Sequence, residues 1–385
     1  MKKNILLALV VLVSTGMIVS FSLFGCMAEP EVIIETVTET VTETVVETVE
    51  VEAEAEEIEP VTVGYSNGLI THAWRTQMMA DLQQDFNIYK GKGWCDELII
   101  QNAGFDVDLQ ITQIRNLINS GVDLILINPN SVTALNPVIE EAVDAGIMVM
   151  VVDQTVDSEA PYQVLGNSYQ WMVDQAKWVF DKMGGEGKLV YLSGVDGQPG
   201  NTDRDNGVTD TLADYPDIEL LTKANGNWDP STSQQAMADV LAAFPEIDAV
   251  VAHDGQVMGT LRAFDSAGRE HPIINGDYMV NYVEYWVENL DTVDGFTLIN
   301  SPGFGTNLGL GVGVRMLQGW TLKEGFFTSD DLHSITSETV ALVTYTKYID
   351  NSNVEEIYNN HINTRGTAEY VDIWPAQEEI DALFE

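Results

Sequence analysis

Two stretches, residues 124–127 and 148–152, are apolar at every position. A strand can be uninterruptedly apolar only where both faces of its sheet are covered, as in a parallel sheet sandwiched between helices. The neighbouring segments have the period such covering needs. Residues 107–119 place Ile111, Ile114, Leu117 and Ile118 on one helical stripe, and a helix over 137–145 separates the two apolar strands. Upstream, 61–65 and 98–100 read as strands and 73–86 as a helix. Repeated βαβ units in an α/β fold follow. The pattern then restarts with a helix over 169–183 and strands at 189–192, 218–221, 249–252, 273–275 and 296–299. A Gly-rich helix over 306–318 follows, whose small residues allow close packing. The chain's 385 residues exceed the roughly 250–300 that one core supports, so two similar lobes are expected. Open parallel sheets bind ligands at their strand carboxyl ends, which makes the polar and aromatic residues there the candidates.

The first 26 residues are of another kind. Lys2 and Lys3 precede an uncharged apolar run over 5–24, then Gly25 and Cys26, the layout of an export signal. That run could also span a bilayer, which takes roughly 20 apolar residues, so an uncleaved anchor is the alternative. Leu23-Phe24-Gly25-Cys26 resembles the bacterial lipobox, which implies acylation of Cys26 and a lipid anchor. Both readings leave the rest of the chain outside the cytoplasmic membrane and tethered to it. Residues 27–60 carry twelve Glu and no Lys or Arg, in a four-residue repeat such as Glu35-Thr-Val-Thr and Glu39-Thr-Val-Thr. Self-repulsion and little apolar surface make this an acidic extended linker, with a helical valine stripe as the alternative.

The whole chain has a net charge of −43, and removing the linker's twelve Glu and the two leader lysines leaves −33 on residues 61–385. Such a surface excludes nucleic acid as a partner, because affinity for phosphate backbones is built from Lys and Arg. Cys26 and Cys95 are the only cysteines, which rules out a disulfide framework and a Cys-rich zinc module. Cys95, in an apparent loop over 91–96, reads as a buried unpaired thiol. There is no Gly-x-Ser-x-Gly elbow, phosphate loop or His-Glu-x-x-His helix, and His72, His253, His271, His333 and His361 lack metal-ligand spacing. No enzyme, cofactor or metal site is expected.

The strand ends then carry a resemblance. Val63-Gly-Tyr-Ser66, Gly121-Val-Asp-Leu-Ile-Leu-Ile-Asn-Pro129 and Gly146-Ile-Met-Val-Met-Val-Val-Asp153 come first. Leu192-Ser-Gly194, residues 204–207, Trp228-Asp229, Ala249-Val-Val-Ala-His-Asp254 and Ile274-Asn-Gly-Asp277 follow in order. Over 61 to about 340 the chain resembles the class I periplasmic sugar-binding proteins of the ribose-binding type. The resemblance implies two Rossmann-like lobes with parallel sheets, the periplasmic binding protein type I fold. Their hinge would have three segments, near 165–168, 300 and 328–334. It implies a first lobe of 61–165 plus 301–328, and a second of 166–300 plus 329–385 with a tail.

In that family a monosaccharide lies between the lobes, its C–H faces on aromatic rings and its hydroxyls on fixed donors and acceptors. By resemblance Trp74 and Trp228 are the aromatic clamp, and Asp153 and Asp277 the carboxylates. Arg204 is the forked donor, and Asn300 the amide. His253 and Asp254 end a strand in the second lobe. Ser66 and Asn67 are short polar groups at the first strand end, where a turn role is the alternative. Gln154 stands where ribose binders have an arginine and His253 where they have an asparagine, so a related polyhydroxylated ligand is expected. The function implied is capture of a sugar or polyol by a monomeric, lipid-anchored protein and its delivery to the permease of an ABC importer. A sensory module docking on a chemoreceptor or sensor kinase is the alternative.

Overall fold

The computed structural model describes residues 59–70, 73–327, 339–365, 369–373 and 375–385. The leader, Cys26, the linker through 58, His72, His333 and the hinge segment expected at 328–334 lie outside the described residues.

The chain begins with β1 (Val61–Asn67), α1 (Ala73–Gly91), β2 (Cys95–Asn102), α2 (Val107–Ser120), β3 (Leu124–Asn128), α3 (Asn136–Asp144), β4 (Met148–Val152) and β5 (Tyr162–Gly166). It continues with α4 (Ser168–Lys182), β6 (Glu186–Ser193), α5 (Pro199–Ala213), β7 (Asp217–Asn225), α6 (Pro230–Ala243), β8 (Ala249–Ala252), α7 (Val257–Ala267) and β9 (Ile273–Ile274). Last come α8 (Val280–Glu288), β10 (Phe296–Leu298), α9 (Phe304–Leu317), β11 (Val340–Val343), β12 (Tyr348–Asp350), α10 (Val354–Arg365) and α11 (Gln377–Asp381).

Two parallel sheets result, ordered β11-β5-β4-β3-β1-β2 and β7-β6-β8-β9, with an antiparallel pair β10-β12 beside them. The reading of the apolar runs holds: every residue of β3 is buried, and so is β4 from Val149 onward. Helix boundaries follow local chemistry. Asp106, Asn167 and Asp229 each accept a backbone N–H at the start of α2, α4 and α6, and α2 ends on Gly121 in the left-handed region. The glycines of α9 let it lie against the first sheet. A Cβ on Gly309 would sit 2.6 Å from Val152 Cγ1, and one on Gly313 2.9 Å from Leu124 Cδ2. Cys95 opens β2 opposite Val61, so the loop expected over 91–96 is a short helix-to-strand turn.

The chain passes between the sheets after β5, between β10 and α9, and between β11 and β12. The tail departs from the sequence boundaries. Its run Val340-Ala341-Leu342-Val343 is apolar enough to extend the edge of the first sheet beside β5, whereas 329–385 was expected with the second lobe. β12 and α10 then pack on the second lobe, and α11 returns to the first against α9.

Candidate ligand cleft

The strand ends of the two sheets face a common cleft, and each side delivers a Trp, an Arg and an Asp to it. On the first side Trp74 and Arg75 open α1, and Asp153 follows β4. Arg75 Nη2 lies 2.8 Å from Asp153 Oδ2, with its guanidinium 5.4 Å from the Trp74 ring. Asn128 Nδ2 donates to the same carboxylate at 3.0 Å. On the second side Arg204 of α5 pairs with Asp254 after β8 at 2.7 Å, and the Tyr278 hydroxyl donates to the other carboxylate oxygen at 2.7 Å. The Arg204 guanidinium stacks 4.3 Å from Trp171 and 5.7 Å from Trp228. Both arginines are buried, yet Arg75 Nη1 and Arg204 Nε have no hydrogen-bond partner among the described residues. Buried donors of this kind demand an acceptor.

Trp228 is held from behind. Its indole Nε1 can only donate, and it lies 2.9 Å from His253 Nδ1, so that nitrogen is the acceptor. His253 Nε2–H then donates to the Tyr191 oxygen at 2.7 Å, and the Tyr191 hydroxyl donates to Asp205 at 2.7 Å. Burial, reinforced by Arg204 and Lys223, drives the His253 pKa well below its ordinary value, which keeps the ring neutral and the tautomer fixed. Under the indole lies Gly194, where a Cβ would come within 2.1 Å of Trp228 Nε1. The backbone marks the site too. Asp153 (φ 66°) and Trp228 (φ 56°) both occupy the left-handed region, which bulky non-glycine residues adopt at a cost of about 1–3 kcal/mol. Strain of this kind concentrates where function fixes a side chain.

Gln154 spans the cleft. Its Oε1 accepts from Gly200 N in the first turn of α5 at 3.0 Å, where the helix has no side-chain cap of its own, while its Nε2 donates to Asp153 at 3.2 Å. The two lobes are thus in contact across a narrow cleft.

Of the residues expected from sequence, Trp74, Asp153, Gln154, Arg204, Trp228 and Asp254 line this cleft together. Ser66, Asn67, His253, Asp277 and Asn300 are not among its lining residues and sit behind it. Ser66 accepts from Gln110, and Asn67 donates to Leu69 O and Asn102. Asn300 uses its carbonyl to hold Trp74 Nε1 at 3.0 Å. Asp277 is fully buried and accepts from the N–H groups of Gly255 and Met279. Desolvation, with Asp254 nearby, pushes its pKa up to about 7. Sequence reasoning missed Arg75, Ser168, Gly200 and Tyr370, which also line the cleft. Arg75 had a signal, its place beside Trp74 at a helix start, whereas Tyr370 arrives from the tail and had none. Among the described residues no group of three His, Cys, Asp or Glu could hold a metal ion, and no helix is long and apolar enough to cross a membrane.

A family model described as periplasmic binding protein domain matches residues 63–311. The xylitol-binding protein of Mycolicibacterium smegmatis is 30% identical over 240 residues, 61% of this chain and 65% of that protein. The ribose import binding protein of Bacillus subtilis is 29% identical over 183 residues, 47% of this chain and 59% of that protein. The chain thus spans just under two thirds of these relatives. Among solved structures, an ABC transporter solute binding protein from Thermobispora bispora superposes with a TM-score of 0.69 at 24% identity, covering 84% of this chain and 94% of that one. Another from Bacillus halodurans, with bound myo-inositol, gives 0.65 at 22% identity over 79% and 99%. These likenesses are likenesses of fold.

Proposed function

Because the chain belongs to the periplasmic binding protein domain family, we propose that it captures a neutral monosaccharide or polyol between its two lobes and delivers it to an ABC importer. The observation that carries this reading is the pair of matched half-sites, Trp74 with Arg75 and Asp153 facing Trp228 with Arg204 and Asp254. A sugar has apolar C–H faces for the two indoles and hydroxyls that both donate and accept, so it can meet the orphaned arginine N–H groups and the carboxylate lone pairs at once. Gln154, Ser168 and Gly200 would contact its rim. His253 and Asn300 act one step back, by fixing Trp228 and Trp74, while Asp277, Ser66 and Asn67 brace the chain behind the cleft.

The mechanism is a population shift and involves no chemical step. A ligand touching both half-sites gains contacts in the closed form that the open form cannot make, and so favours closure. The lobes would divide as the crossings suggest, and acylation of Cys26 with the acidic linker would keep the protein tethered outside the cytoplasmic membrane beside its permease. Names of relatives support the ligand class, since they bind xylitol and ribose. The test is a thermal-shift panel of pentoses, hexoses, polyols, nucleosides and amino acids. A ligand present at 100 times its Kd adds about 2.7 kcal/mol of stability. A shift with one sugar or polyol class is the expected result, and silence across all of them refutes the proposal.

A further inference from the structure

The tail beyond the family match is bound to both lobes at one residue. Glu369 O accepts from Val280 N and Val371 N donates to Tyr278 O, each at 2.8 Å, while Tyr370 bridges Met279. These bonds fasten 369–371 to the loop before α8, on the second lobe. The same residue is gripped from the first lobe by α1. Gln77 Oε1 accepts from Tyr370 N at 2.9 Å, and Gln77 Nε2 donates to Tyr370 O at 3.1 Å. One side-chain amide thus satisfies both backbone groups of Tyr370, as a neighbouring strand would, and both residues are buried, at 7% and 2% exposure. The Tyr370 ring lies 5.4 Å from Tyr278, the residue that holds Asp254, and forms part of the cleft wall. Beyond it, Ile373 N donates to Ser301 Oγ at 2.6 Å, and α11 locks onto the first lobe through Asp381 and the buried Arg315 at 2.7 Å. The tail is therefore anchored on the first lobe by α11, on the second by 369–371, and across the cleft by Gln77.

We propose that this segment is a clasp that holds the cleft closed before any ligand arrives, with Gln77 as its catch and Tyr370 as the pocket wall it delivers. If the lobes part, α1 moves away from a Tyr370 that remains fastened to the second lobe, and two buried hydrogen bonds break together. Each buried bond exchanged for water on opening carries a modest net cost, and two that break together bias the equilibrium toward closure. A binding protein poised in this way needs less reorganisation on capture and releases its ligand more slowly. The clasp deepens the binding-protein reading, since it acts on the cleft which that reading gives to the ligand. Its test uses no ligand, so a chain that bound no sugar would still give an answer.

The measurement is a dipolar distance between spin labels on the full chain, at N116C on α2 and A238C on α6, with C26S so that only the two new thiols react. Both sites are exposed. The ligand-free background protein should show mainly the short, closed distance, and Q77A should lower the closed-to-open ratio by about tenfold or more, the worth of two buried hydrogen bonds. A background protein that is already mostly open, or a Q77A distribution that matches it, overturns the clasp. Should Q77A fail to fold, hydrogen exchange of the Tyr370 amide in the unsubstituted chain decides. Strong protection without ligand supports the clasp, and exchange at loop rates overturns it.

Discussion

The Arg204–Asp254 pair offers the sharpest test of how the second half-site is held. Both side chains are buried, at 7% and 8% exposure, and 2.7 Å apart. Replacing Arg204 by Met keeps most of the aliphatic volume but strands the Asp254 carboxylate with Tyr278 as its remaining donor. Breaking a buried pair from one side costs about 3–5 kcal/mol, because the surviving charge stays desolvated. For a folded part of this size that is a fall in Tm of roughly 4–8 °C. Adding D254N to R204M removes the stranded charge, so most of the lost stability should return. The residue, about 1 kcal/mol, would be the guanidinium stack on Trp171. On the proposed function, ligand binding should not return with it, since the fork assigned to the ligand's oxygens is gone. Thermal unfolding at neutral pH and calorimetric titration with whichever sugar or polyol the thermal-shift panel identifies read the two effects separately. An R204M protein within about 1 kcal/mol of wild type, or a double variant no more stable than the single one, refutes the reasoning.

Trp228→Ala should weaken binding of a sugar ligand by about 1 kcal/mol or more through loss of the stacking face, and unchanged affinity in the same titration dissociates Trp228 from the pocket. Gly194→Ala should displace the Trp228 indole, which leaves 2.1 Å for the new Cβ. The expected cost is about 1–3 kcal/mol of stability together with a loss of affinity, and a neutral outcome in both contradicts the packing. Asp277 has its folded pKa raised to about 7 from an ordinary 3.8, so the folded state holds a proton that the unfolded chain releases. Its stabilising contribution is complete below the unfolded value and is lost as pH rises through about 7. D277N should therefore gain on wild type as pH climbs from about 4 to 8 in denaturant titrations, and a pH-independent difference would exclude the raised pKa. Cys95 is 3% exposed and burial pushes its thiol pKa up to about 12, so it should resist thiol reagents at neutral pH until the protein unfolds.

Those elements that pack by pattern alone were legible in the sequence. β3 and β4 announced themselves as apolar runs, and α2 by the stripe that buries Ile114 and Leu117. The site was legible where a residue's own position at a strand end decides its direction, as for Asp153 and Asp254. It was not legible where the partner comes from a distant part of the chain. Nothing local says that Asn300 will offer its carbonyl to Trp74, 226 residues away, or that His253 will serve the indole of Trp228. Asp277 shows the limit in another form. Its strand end faces Gly255 and Met279, so its oxygens are consumed by backbone donors before they reach the cleft. The tail was the least legible, because its short strands and helices acquire their places only from surfaces already built by the two lobes.

The arrangement of charge also bears on which ligands the cleft can take. Each arginine already has its counter-charge within 2.8 Å, so the cleft offers donors and acceptors but no unbalanced positive charge. An anionic sugar acid would have to compete with Asp153 or Asp254 for its arginine while facing the other carboxylate, on a protein whose overall charge is strongly negative. A neutral polyol meets no such opposition. Its hydroxyl oxygens can accept from Arg75 Nη1 and Arg204 Nε without disturbing either ion pair, and its hydroxyl protons can be given to carboxylate lone pairs. The pairs thus serve as pre-paired scaffolds: the arginines are held by carboxylates, the tryptophans by Asn300 and His253, and the strained backbone at Asp153 and Trp228 aims both sets at one space. Preorganisation of this kind removes ordering costs that a flexible site would meet on binding, which favours capture of the neutral solute proposed for this cleft.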